Sequence, residues 1–227
     1  MTQVTFPSNG TDGQGHLAVP ASGSGPGVVV LQEWWGLNDQ IKEVCARFAS
    51  EGFVALAPDI YRGVVTAEPD EAAKLMMALN IEQAAKDMAG AVDFLVAHPA
   101  VTSRTVGVTG YCMGGGLALW LATLRPGAVS AVVPHYGVIP WPAAQPDYTR
   151  MGAKVQGHYA ENDDFAGPPA VAALEEQLTA AGKEFEFFLY PGTEHAFTNH
   201  HRPEVFHEEH TETTWARTLD FLRANVT

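Results

Sequence analysis

The sequence predicts an α/β fold, a mostly parallel central sheet with helices on both faces. Three observations carry that prediction. Short, almost wholly apolar runs such as GVVVLQE (27–33), FVALAPD (53–59) and AVVPHYG (131–137) recur along the chain. Longer runs with helical apolar spacing separate them, and glycine or proline marks many of the joins. A strand with no polar face must be covered on both sides, and crossover helices supply that cover in a parallel sheet.

The elements follow in order. VTF (4–6) and LAV (17–19) read as an antiparallel hairpin at one sheet edge. GVVVLQE is β-branched and is preceded by GSGPG, so it reads as the first buried strand. NDQIKEVCARFASEG (38–52) sets Ile41, Val44, Cys45 and Phe48 at helical spacing and ends at Gly52, a good residue just past a helix. FVALAPD is the next strand. IEQAAKDMAGAVDFLVAHP (81–99) is an amphipathic helix that stops at Pro99. TVGVTG (105–110) is a strand, and LALWLATL (117–124) is a buried helix. AVVPHYG, KVQGHYA (154–160) and FEFFLY (185–190) complete the strands. PPAVAALEEQLTAAG (168–182) has proline at its start and glycine at its end, as helices prefer. The last helix is expected from about Pro203 to Asn225. The three prolines of YGVIPWPAAQPDYTR (136–150) predict a structured loop near a pocket. With no internal repeat and no linker, the expectation is one domain over residues 1–227.

Composition narrows the function. The chain has 227 residues, 46% of them apolar, which suffices for a sizeable core. Its formal charge is −13, so a phosphate backbone would repel it and nucleic acid is not an expected partner. No apolar run reaches the ~18 residues a membrane span needs. The start, MTQVTFPSNGTDGQGH, lacks the basic and apolar regions of a signal peptide. Two cysteines, Cys45 and Cys112, read as reduced thiols in a cytoplasmic protein.

In such sheets ligands bind beyond the carboxyl ends of the strands. There, Gly110-Tyr111-Cys112-Met113-Gly114 has the form G-x-nucleophile-x-G between a strand and a helix. A residue on that sharp turn projects its reactive atom into the cleft, and the next N–H, that of Met113, points at the same spot. Glycines flank it because side chains would strike neighbouring backbone. The helix start adds partial positive charge, which favours a thiolate. A nucleophile here calls for an acid and then a histidine further along. Asp163 or Asp164 follows one strand, and His195 follows the next. Glu33 ends the first buried strand; spacing alone makes it a solvated carboxylate, with Trp34 and Trp35 as packing. The Trp34 N–H is placed to be a second oxyanion donor.

The segments QEWWGLN (32–38), APDIYRG (57–63), GYCMGGGLAL (110–119), HYGV (135–138) and GTEHAFTN (192–199), with RPEV (202–205) after them, closely resemble the dienelactone hydrolase family. They run in that family's order and cover nearly the whole chain. The resemblance implies an α/β-hydrolase domain without a large cap, acting as a monomer and without a cofactor. It implies a Cys-His-Asp triad of Cys112, His195 and Asp163, the aspartate chosen because the family's acid stands two residues before a phenylalanine, here Phe165. It also implies that Glu33 contacts the thiol at rest and takes its proton when substrate arrives. The thiolate then attacks an ester or lactone carbonyl, the Trp34 and Met113 N–H groups hold the oxyanion, and water releases the acid from an acyl-thioenzyme.

The family's substrate carboxylate is met by two arginines. Asn199 stands where one is expected, and residues 63–103 contain no arginine for the other. Arg62 is the available substitute, though its position reads as structural. A less acidic ester or lactone is therefore expected, in a pocket lined by Trp34, Trp35, Tyr136, Trp141 and Phe197, with Asn199 at its side. The alternative is a redox-sensing protein with Cys112 as an oxidisable thiol. No metal is expected. HEEH (207–210) sets its histidines three apart rather than at the four of a zinc helix, and His200, His201, His207 and His210 read as a solvated face, with His200 and His201 near the pocket rim.

Overall fold

The computed structural model describes residues 2–227. Strands β1 (Thr2–Ser8), β2 (Thr11–Ala18), β3 (Gly25–Leu31), β4 (Val54–Pro58), β5 (Val101–Tyr111), β6 (Val129–His135), β7 (Lys154–Asn162) and β8 (Phe185–Glu194) form one eight-stranded sheet in the order β1-β2-β4-β3-β5-β6-β7-β8. β2 runs antiparallel to both β1 and β4, and every other pairing is parallel. The expected edge hairpin is therefore present, and its inner strand joins it to the rest. Val28, Val29, Val30 and Leu31 are wholly buried, as are Val54 to Ala57. Runs without a polar face thus sit in the middle of the sheet.

Helices α1 (Asp39–Ser50), α2 (Pro69–Met77), α3 (Ile81–Ala97), α4 (Met113–Leu124), α5 (Pro168–Ala180) and α6 (Glu208–Asn225) cover it. α1 and α6 join across Phe48 and Trp215, whose rings are 4.5 Å apart, and the Arg47 guanidinium lies over Trp215 at 4.2 Å. Asn38 caps α1, its side chain accepting from the Ile41 N–H. Gly107 on β5 leaves room for Leu222 of α6; an added Cβ would come within 2.5 Å of that side chain.

Three expectations need correction. α2 was not foreseen, although Pro69 at its start and Asp70 and Glu71 in its first turn are ordinary helix-start signals. α4 begins at Met113, four residues before the apolar run that suggested it, because three glycines hid its first turn. α6 begins at Glu208, not near Pro203; residues 203–206 turn back on Arg202, and the His207 ring accepts from the His210 N–H as a cap. HEEH is thus a helix start with Glu208 and Glu209 in the first turn. The 136–150 loop holds two single 3-10 turns, and Trp141 Nε1 donates to the Met76 carbonyl, tying the loop to the end of α2.

Candidate active site

The junction of β5 and α4 sets the geometry. Cys112 has φ +54° and ψ −120°, a left-handed φ that costs a non-glycine residue about 1–3 kcal/mol. Tight backbone crossing holds it there. A Cβ on Gly110 would stand 2.0 Å from the Gly114 carbonyl oxygen, and one on Gly114 would stand 2.5 Å from the carbonyl oxygens of Leu31 and Gln32. Only glycine allows the helix start to press against the end of β3. The Cys112 N–H donates to the His135 carbonyl at 3.0 Å, and its carbonyl accepts from the Gly115 N–H at 2.9 Å.

The register of β7 and β8 brings in the other side chains. Asn162 pairs with Glu194, so the next residues, Asp163 and His195, leave the sheet side by side. His195 Nδ1 lies 2.7 Å from Asp163 Oδ2. The other carboxylate oxygen accepts from the N–H groups of Phe165 and Ala166 at 2.8 and 2.9 Å. Asp164 is exposed. The His195 ring stands edge-on to Tyr136 and Phe165, which fix its plane. Cys112 lies close enough to act on its charge. Burial opposes charge on this imidazole, but the Asp163 hydrogen bond and the charges of Asp163 and Cys112 outweigh it and raise its pKa to about 10. Burial likewise pushes the Asp163 carboxyl up; the His195 bond and charge and the two N–H donors prevail and hold it below the ordinary value.

Glu33 is 1% exposed. Its Oε2 accepts from Asn199 Nδ2 at 2.9 Å and its Oε1 from the Tyr136 hydroxyl at 3.3 Å, while that hydroxyl lies 2.7 Å from Thr198 Oγ1. Burial raises its pKa, only partly offset by the His195 charge, Asn199, Arg202 and Tyr136.

A family model described as the dienelactone hydrolase family matches residues 14–226. This chain belongs to the dienelactone hydrolase family. It is 36% identical over 235 residues to Protein usf of Aquifex pyrophilus, an alignment covering 99% of this chain and 98% of that one. It is 32% identical over 231 residues to an Aquifex aeolicus protein provisionally named carboxymethylenebutenolidase, covering 97% and 96%. The crystal structure of a provisionally named dienelactone hydrolase from Klebsiella pneumoniae superposes with a TM-score of 0.87 at 28% identity, covering 98% of this chain and 97% of that one. The chain is accordingly a carboxymethylenebutenolidase-like hydrolase on an α/β-hydrolase-type fold.

Within this family member, several residues sit elsewhere than their sequence suggested. Glu33 is not a solvated carboxylate but the best-buried acid near the site, and among the described residues its hydrogen bonds go to Asn199 and Tyr136 and not to the thiol. Asn199 is 2% exposed, and its amide is committed to Glu33, which is why it cannot stand in for a substrate-binding arginine. Tyr136 and Phe197 are wholly buried: Tyr136 supports Glu33, and Phe197 packs between Tyr136 and Tyr190. Arg62 donates to both oxygens of Asp87 at 2.9 and 3.0 Å, beside the edge hairpin, and has no part in the site. Trp141 is held against α2. Trp34 and Trp35 do line a cleft, of about 610 Å³, with Asn38, Thr66, Asn199 and Arg202. Arg202 and Thr198 lie within RPEV and GTEHAFTN, but neither segment gave them a role of their own. The Arg202 Nε donates to Glu204 at 2.8 Å, so part of this arginine's charge is already engaged. No helix among the described residues is long and apolar enough to cross a membrane.

Proposed function

We propose that this hydrolase cleaves carboxylic esters or lactones through Cys112, with His195 and Asp163 as its partners. The observation that carries the reading is the left-handed Cys112 at a strand–helix turn, its thiol acting on an imidazole that Asp163 holds at 2.7 Å. As substrate enters, Glu33 takes the thiol proton, the role the resemblance implies, and the protonated His195 stabilises the thiolate. Sulfur attacks the carbonyl carbon, and the oxyanion is received by the N–H groups of Trp34 and Met113. Among the described residues the Trp34 N–H has no protein acceptor. Collapse expels the alcohol, which takes a proton from His195, and leaves an acyl-thioester. Water, deprotonated by His195, attacks that thioester and returns the thiol. A thiolate formed only with substrate present escapes idle oxidation.

The substrate is a neutral or weakly acidic ester or lactone. Support comes from the Trp34–Trp35 cleft, where the one arginine among the described lining residues, Arg202, already engages Glu204 through Nε. A carboxylate ligand gains most from a free, bidentate guanidinium. The test is steady-state turnover of neutral p-nitrophenyl esters and of dienelactone before and after treatment with iodoacetamide. The expected result is turnover of the neutral esters that alkylation abolishes, with dienelactone the poorer substrate. Undiminished turnover by the alkylated protein would overturn the thiolate mechanism. Efficient dienelactone cleavage with neutral esters ignored would overturn the substrate reading alone.

A further inference from the structure

Glu43 of α1 lies 157 and 158 residues from His200 and His201 in sequence, yet all three meet at one point on the surface. The Nε2 atoms of both histidines are each 2.9 Å from the same oxygen, Oε2 of Glu43. Consecutive residues ordinarily send their side chains apart. Here the two rings stand at 88° to one another with centroids 4.5 Å apart, and each still turns a nitrogen to the shared oxygen. The three possible ligand atoms all lie within 4.8 Å of one another. The side chains are roughly half exposed, at 52%, 51% and 42% for Glu43, His200 and His201. Exposed contacts of this kind add little stability by themselves, while gathering three mobile side chains has an entropic cost.

We propose that Glu43, His200 and His201 form a binding site for a borderline-soft divalent transition cation, Zn²⁺ foremost. Two imidazole nitrogens and one carboxylate oxygen are an ordinary zinc donor set. Without metal each ring donates its Nε2–H to Glu43; on binding the neutral ring takes the tautomer protonated at Nδ1, exchanging the proton through water, and offers the Nε2 lone pair, so no electron is transferred and no net proton is lost from a neutral histidine. The shared oxygen moves outward slightly as the ion takes the place of the two hydrogen bonds. Water completes the coordination. The formal charge of −13 draws cations in general to the molecule, while imidazole selects against Mg²⁺ and Ca²⁺, which prefer oxygen ligands. The nearby Lys42 is engaged with Asp39 at 2.9 Å rather than with Glu43. The HEEH histidines do not take part, since His207 caps α6.

The position gives the ion a consequence. The His201 N–H donates to Asn199 Oδ1 at 3.0 Å, and the Asn199 amide donates to Glu33. A cation here clamps α1 to the segment that supports Glu33 and forms one wall of the tryptophan cleft. The site is independent of whether Cys112 is the nucleophile.

The test uses the full chain, treated with chelator and carrying Cys112→Ala, so that the thiol cannot bind zinc. It is titrated with ZnCl₂ and with MgCl₂ by calorimetry, and with CoCl₂ by visible absorption. The expected result is about one zinc per chain, a raised melting temperature, visible Co²⁺ bands without thiolate charge transfer, and no Mg²⁺ response. His200→Ala, His201→Ala and Glu43→Gln, all surface changes checked for folding by circular dichroism, should each weaken zinc binding by roughly tenfold or more. Failure to bind zinc saturably, or binding that survives these substitutions but is lost in His207→Ala, would overturn the proposal.

Discussion

Asn199 shows how a single side chain can change meaning between sequence and structure. Its position suggested a substrate contact, and its amide instead holds the buried Glu33 carboxylate. Asn199→Ala removes the shorter of the two hydrogen bonds on that carboxylate and leaves a buried acceptor unsatisfied, which costs about 1–3 kcal/mol. The expected outcome is a melting temperature lower by roughly 2–4 °C per kcal/mol and ester turnover reduced by about tenfold or more, measured by thermal unfolding and steady-state kinetics. The meeting of Cys112 and His195 with an aspartate at 163 or 164 was legible in the sequence because each follows a strand in a fixed order, and the resemblance singled out Asp163. Glu33 was not legible from spacing, because burial depends on neighbours 103 and 166 residues away, Tyr136 and Asn199. Arg62, read from its position as structural, pairs with Asp87 on a helix facing the hairpin. Aromatic side chains gave the poorest guide, since Phe197 and Tyr136 were as well suited to the core as to a pocket, and the core took them.

The β5–α4 junction is the element on which the site rests. Glycine is required there by carbonyl oxygens, which cannot rotate away as a flexible side chain can. Gly114→Ala places a methyl group 2.5 Å from the carbonyls of Leu31 and Gln32, both backbone. The end of β3 and the start of α4 must then separate, and forced overpacking of this kind costs about 1–3 kcal/mol or more. Because Glu33 and Trp34 follow Leu31 directly, the shift falls on the site. The expected outcome is near-complete loss of ester turnover together with slowed alkylation of Cys112, followed by mass spectrometry; alkylation at the parental rate would mean that the sulfur had not moved. Strands were the most readable elements, because runs buried on both faces leave no other fold. Helix starts were the least readable. The first turn of α4 consists of glycines that no apolar period reveals, α2 was overlooked despite its proline, and the start of α6 depends on a histidine cap.

At the scale of the molecule, eight strands bring together groups separated by most of the chain. Cys112 ends β5, Asp163 follows β7 and His195 follows β8, and the pairing of Asn162 with Glu194 sets the last two side by side. That coupling ties protonation to folding. The folded-state pKa of His195, about 10, stands above its ordinary value of 6.5. The imidazolium therefore adds stability that is fully present below pH about 6.5 and is lost as pH rises through about 10. Asp163 acts in the opposite sense: its carboxyl is held below 3.8, so its contribution is present above that value and fades as acid protonates it. The measurement that bears most directly on the site is the NMR titration of His195, in the parent chain and in Cys112→Ala. A midpoint near pH 10 in the parent that falls in the variant, as one of the two partners holding the proton is removed, is the predicted result. A midpoint near 6.5 in both would show an imidazole coupled to neither thiol nor aspartate, and would contradict the catalytic arrangement argued for Cys112.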